Sequence, residues 1–123
     1  MAKLNNPDYK RANSIHEFTV RNLIGEPELI KLDKYKGFLC IVVNVAVKSP
    51  ANGEHYKRLN ELMAKYGENL RILAFPCDQF GDESGSPEEI ASHAKQNNVK
   101  FDIFAKVNVN GQEASDLWKF IKV

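Results

Sequence analysis

Cys40 and Cys77 are the two thiols of this 123-residue chain, and a thiol is the side chain best suited to redox or nucleophilic work. The reactive form is the thiolate, which gains ground when a helix N-terminus or a cation lowers the cysteine pKa from about 8.5. Cys77 follows Pro76 at the end of an apolar run, the place where a substitute redox thiol could sit; packing is the simpler role there. Cys40 lies inside another apolar run and reads as a small hydrophobe. Ser49, preceded by Lys48 and followed by Pro50, stands between a β-rich run and a helical stripe. Its hydroxyl is a far weaker acid than a thiol and has no sulfenic state, although a helix terminus beside it could hold an anion. His16, His55 and His93 are scattered without metal-ligand spacing, so surface or capping roles suffice and no metal site is expected.

The elements that must position these residues follow from periodicity. Residues 38–46 form an almost unbroken β-rich apolar run, the pattern of a strand covered on both faces. Residues 70–75 form a second, ended by Pro76. Between them Tyr56, Leu59, Leu62, Met63 and Tyr66 recur at helical spacing, with Asn52 as a cap, so a parallel βαβ unit is predicted. Ser86-Pro87-Glu88-Glu89 is a capping box opening a second helix, with Ile90, Ala91 and Ala94 toward the core. A third strand is predicted to end at Asn110-Gly111, and Ala114, Leu117, Trp118 and Ile121 make a last helix stripe, which assigns Trp118 to packing. In an α/β domain of this kind ligands bind beyond the carboxyl ends of the strands.

Length and charge bound the partners. A chain of this size is one domain that buries about two-thirds of its unfolded surface. Seventeen basic against sixteen acidic residues give +1, which leaves no electrostatic footprint for nucleic acid or an anionic membrane. No segment is long and apolar enough for a signal peptide or a membrane span, and two cysteines suit a reducing compartment, so a cytoplasmic protein is expected. Residues 1–13 are expected to be a loose N-terminal segment, and residues 14–123 the domain.

Several blocks in order resemble the glutathione peroxidase family. Ser14-Ile15-His16-Glu17-Phe18-Thr19-Val20 and Lys34-Tyr35-Lys36-Gly37 look like its opening hairpin. Asn44-Val45-Ala46-Val47-Lys48-Ser49-Pro50 stands where the family reads Asn-Val-Ala-Ser-Lys-Cys-Gly, with selenocysteine for cysteine in some members. Leu73-Ala74-Phe75-Pro76-Cys77-Asp78-Gln79-Phe80-Gly81 is similar to the family's Leu-Ala-Phe-Pro-Cys-Asn-Gln-Phe-Gly and is the most specific signature. Residues 101–111 and Leu117-Trp118-Lys119-Phe120 complete a likeness that spans Ser14 to Lys122.

The resemblance implies a thioredoxin-like α/β fold with three α/β/α layers. It also implies a thiol-dependent peroxidase that reduces hydrogen peroxide and organic or lipid hydroperoxides, using glutathione or thioredoxin as reducing co-substrate and no bound cofactor. Ser49 then occupies the peroxidatic position, Gln79 matches the glutamine that hydrogen-bonds the reactive sulfur, and Lys48 and Cys77 are accessory candidates. As a loop glutamine satisfying nearby backbone, Gln79 has an ordinary alternative role. Where thioredoxin-dependent relatives place a resolving cysteine, the matching position is near Lys95. The loop Gly81-Asp82-Glu83-Ser84-Gly85 is one residue shorter than the family's, and Pro50 restricts Ser49 toward extended conformations.

The family's later Trp-Asn-Phe block has no counterpart before Val123, nor do its C-terminal strands and helix, so a truncated domain is expected. Lack of the insertion before the third strand resembles the monomeric, phospholipid-hydroperoxide type. Residues 38–46 would then keep an unpaired edge and an uncovered apolar face, which favours self-association. The expectation is an impaired or inactive peroxidase. The alternatives are a non-catalytic binding module of the same lineage, or a truncated product without independent function.

Overall fold

In chain order, the elements of the computed structural model are β1 (Thr19–Arg21), β2 (Leu29–Lys31), β3 (Leu39–Val45), α1 (Asn52–Tyr66), β4 (Leu70–Pro76), α2 (Pro87–Gln96), β5 (Asp102–Ile103) and α3 (Asp116–Ile121). Short 3-10 turns cover Ile15–Glu17 and Leu32–Tyr35. The structure describes residues 4, 6–24, 28–45, 52–77, 86–107 and 114–121. The side chains of Asn52, Gly53 and His55 are outside that description, and with them the proposed cap at Asn52.

β3 and β4 pair in parallel from Leu39 opposite Leu70 to Val45 opposite Pro76, as a helical crossover between them requires. β5 pairs with the other side of β4, so the sheet order is β3-β4-β5. Among the described residues the predicted third strand is regular over Asp102–Ile103, and its predicted end at Asn110-Gly111 lies outside them. Beyond it the chain is shared between two neighbours: the Phe104 N–H donates to Ala74 O at 2.9 Å, and the Ala105 N–H to Arg21 O at 3.0 Å. β1 and β2 form an antiparallel hairpin of their own. Asn6 is tied to that hairpin, accepting from the Thr19 N–H at 2.7 Å and donating to Thr19 O at 3.1 Å.

The period of two along β4 divides the core. Leu73, Phe75 and Cys77 face one cluster with Phe18, Val20, Leu32, Tyr35, Phe104, Leu117 and Trp118. Leu70, Ile72 and Ala74 face the other, with Val45, Tyr56, Leu59 and Phe101. Each fully buried aromatic or aliphatic side chain contributes roughly 1.5–3 kcal/mol. α1 and α2 lie together on the second face, where Tyr56 meets the His93 ring at 5.9 Å. The hairpin and α3 cover the first, with Phe75 edge-on to Trp118 at 6.1 Å and 89°. The result is the expected mixed α/β architecture in three layers.

β4 is the strand covered on both faces, whereas β3 is half-buried along most of its length and Leu39 is 70% exposed. The difference is positional, because among the described residues β4 has two neighbours and β3 has one. The α1 stripe needs a matching correction. Tyr56 and Leu59 are buried, but Leu62 and Tyr66 are 37% and 49% exposed. Successive residues turn 100° about a helix, so 56, 59 and 63 form the inward line and 62 and 66 lie on its flank.

Helix ends behave as their sequences dictate. The Ser86 hydroxyl accepts from the Glu89 N–H at 3.2 Å while the Glu89 carboxylate accepts from the Ser86 N–H at 3.4 Å, closing the capping box. Asn98, just past α2, takes φ 52°, a left-handed conformation that asparagine tolerates. Gly67 follows α1 where a Cβ would come within 2.5 Å of Met63 O, so any side chain there collides with the helix's own backbone.

Candidate functional site

The carboxyl ends of β3 and β4 finish side by side. Val45 is the register partner of Pro76, and the Cys77 N–H extends the ladder by donating to Val45 O at 3.0 Å. The Val107 N–H donates to Pro76 O at 2.9 Å, bringing the end of the β5 segment to the same edge. From Val45 the chain passes into residues 46–51, and from Cys77 into residues 78–85; both stretches therefore leave from one hydrogen-bonded pair. Lys48, Ser49, Pro50 and Gln79 belong to these stretches and lie outside the described residues.

Cys77 is described, and it is fully buried at 0% exposure among Leu73, Phe75 and the rest of the first cluster. Cys40 sits on the outer strand β3, partly exposed, and its thiol points to Phe38 O at 3.7 Å and Tyr35 O at 4.0 Å. Burial pushes the Cys40 thiol pKa up, with the Arg71 guanidinium opposing, so it is held away from thiolate character. A disulfide between the two is excluded by register. Cys40 pairs with Arg71, six positions before Cys77 on β4, which is roughly 20 Å at the rise of a strand and beyond the 7 Å limit between bridged Cα atoms.

Trp118 is 7% exposed and packs in the core, as its place on the helix stripe predicts. Its Nε1 has no hydrogen-bond partner among the described residues. His16 and His93 lie on different elements, the latter against Tyr56 and Asn97, and no group of metal-ligating side chains occurs among the described residues. Nor is any helix described here long and apolar enough to cross a membrane.

Two arrangements at the opposite end of the sheet escaped the sequence. The Tyr35 phenol donates to Asp102 at 2.5 Å, and desolvation first, then this carboxylate, drive its pKa well above the ordinary tyrosine value. The Arg71 guanidinium lies 4.0 Å over the Phe38 ring and donates to Gly67 O and Leu70 O. The Tyr35–Asp102 bond joins residues 67 apart in sequence, and Arg71 meets the Phe38 ring through the pairing of β3 with β4, so neither contact has a local motif to announce it. A third feature is an apolar cavity of about 250 Å³ beside β3, lined by Leu39, Ile41, Leu62, Tyr66, Asn69 and Leu70. The flank position of Leu62 and Tyr66 on α1 was its available signal.

The chain matches the family model for glutathione peroxidase over residues 15–122. It is 49% identical over 118 residues to the phospholipid hydroperoxide glutathione peroxidase of Sapajus apella, and 48% identical to those of Mus musculus and Bos taurus. Each match takes in 94% of this chain and 59% of the relative, so the chain spans about three-fifths of the length of these relatives. A crystal structure described as Trgpx in apo form superposes with a TM-score of 0.65 at 30% identity, covering 90% of this chain and 64% of that one.

Proposed function

The chain belongs to the glutathione peroxidase family, and on that premise we propose that it derives from a thiol-dependent hydroperoxide reductase whose turnover Ser49 has largely or wholly removed. The chemistry of the lineage is reduction of hydrogen peroxide and organic or lipid hydroperoxides by glutathione or thioredoxin. A thiolate attacks the O–O bond, the distal oxygen becomes a sulfenic acid and the remainder leaves as an alcohol or water; two thiols then restore the sulfur, releasing water and a disulfide. The Ser49 oxygen has no such oxidation state. Gln79 and Lys48 keep their assigned parts, an amide donor to the reacting atom and a neighbouring positive charge. The observation that carries the reading is serine at the nucleophile's place, with the nearest thiol of the signature, Cys77, buried at 0% exposure.

A coupled assay with glutathione or thioredoxin tests it. Rates no greater than those of an ordinary protein thiol are expected, and turnover that vanishes in Cys77→Ser would overturn the reading. The alternative, a non-catalytic module of the same lineage that binds a thiol or an anion, is supported by the retained signature 73–81. A cytoplasmic setting is supported by two cysteines that form no disulfide. Self-association through the sheet is supported by β3 having β4 as its one neighbour among the described residues.

A further inference from the structure

We propose that the amino end of the sheet carries a binding site for a small zwitterion of the α-amino-acid type, held between Asp102 on one side and Arg71 with Lys100 on the other. The site lies at the opposite end of β4 from the edge where Val45 meets Cys77, and it does not depend on the chemistry of that edge.

Register brings the three charges together. Asp102 is the partner of Leu73 across the β4–β5 pair, Arg71 stands two residues before Leu73, and Lys100 stands two residues before Asp102. All three line one cavity of about 310 Å³ under the end of α1, together with Met63, Gly67 and the buried pair Ile72 and Phe101. That volume is enough for a small molecule, whose sites start at roughly 300 Å³. Every lining residue, and each of its neighbours in the chain, is among the described residues.

Charges of both signs share this cavity without pairing to one another. Among the described residues no ion pair joins Asp102 to Arg71 or to Lys100. Each is anchored elsewhere instead. Arg71 lies 4.0 Å over the Phe38 ring, and its Nη1 donates to Gly67 O at 2.6 Å and Leu70 O at 2.7 Å, which leaves the Nε and Nη2 donors. Asp102 accepts from the Tyr35 phenol through Oδ2, which leaves Oδ1. The Lys100 backbone N–H is fixed on Asn60 Oδ1 at 2.8 Å, while its ammonium has no partner among the described residues. An anion alone would meet the Asp102 carboxylate, and a cation alone would meet two positive groups. A zwitterion suits both: its carboxylate takes Lys100 and the remaining Arg71 donors, its ammonium takes Asp102 Oδ1, and Met63 and Phe101 offer apolar contact to its side chain.

L-leucine, titrated into the full chain and followed by backbone amide NMR shifts, should bind saturably in the millimolar range, with the largest shifts at Gly67, Lys100 and Asp102. Its deaminated analogue, which keeps the carboxylate, and its decarboxylated analogue, which keeps the amine, should each bind about threefold or more weakly, as the loss of one exposed charge pair implies. Lys100→Gln, at an exposed position, and Asp102→Asn, which keeps an acceptor for the Tyr35 phenol, should each weaken leucine binding by a similar factor. Absence of saturable binding, or shifts that leave these three residues unmoved, would overturn the site, as would leucine binding that both variants leave unchanged. An analogue that binds as tightly as leucine would show a cavity that reads a single charge, and the zwitterion assignment would fall.

Discussion

The Cys77 N–H donates to the Val45 carbonyl at 3.0 Å, and this bond ties together the two chain segments that carry Ser49 and Gln79. A nucleophile restored at position 49 would follow that bond by four residues of chain. Ser49→Cys should give a thiol with a pKa below about 8.5 that is oxidised by peroxide before Cys77 is. Pairing it with Pro50→Gly should increase the rate by freeing the backbone at the new sulfur. Mass spectrometry after limited peroxide treatment locates the oxidation, and a cysteine no more reactive than a free one would mean that this edge supplies no activation.

Thiol reagents should distinguish the two native cysteines. Partly exposed Cys40 should be alkylated in the folded chain, slowly, since its pKa is raised; Cys77 should react only as the protein unfolds. Equal rates in native buffer would show that the first core cluster opens without global unfolding.

Tyr35 predicts a loss of stability on the alkaline side. Its folded pKa lies above the unfolded value of about 10. The contribution is therefore fully present below pH 10 and declines as pH rises from there toward the folded pKa. Tyr35→Phe should remove that alkaline dependence and cost roughly 1–3 kcal/mol at neutral pH for the lost charged-acceptor bond to Asp102. Denaturant unfolding of both proteins between pH 8 and pH 11 checks the sign.

Trp118 separates packing from polarity. Trp118→Ala should cost about 3–5 kcal/mol by leaving a cavity against Phe75. Trp118→Phe should cost much less, because the indole N–H it removes has no partner among the described residues. A phenylalanine variant as unstable as the alanine one would point to a bond that this N–H makes.

What was legible in the chain was what periodicity and local capping carry. The apolar runs around Val42 and Leu73, the capping box from Ser86 to Glu89 and the inward line from Tyr56 to Met63 all state their structure within a few residues. The signature around Cys77 announced the family, and register explains why Cys77 and Val45 adjoin. Less legible was whatever depends on neighbours distant in sequence. The apolar composition of β3 is the same whether or not a second strand flanks it, so half-burial could not be read from its residues alone. Leu62 and Tyr66 looked like core for the same reason, and the Tyr35–Asp102 bond joins residues that no local pattern relates.

Gly67 makes the connection between α1 and β4 intolerant of edits. Met63 O closes the space a side chain would need just past the helix, and two residues on, the Leu39 N–H begins the ladder on Asn69 O. The stretch from 67 to 69 thus works as a ruler. A single-step slip of β4 past β3 would send Leu73 and Phe75 to the face now held by Ile72 and Ala74, so the apolar pattern holds the register that this turn begins. Both insides of the protein therefore depend on where this short turn hands the chain to β4.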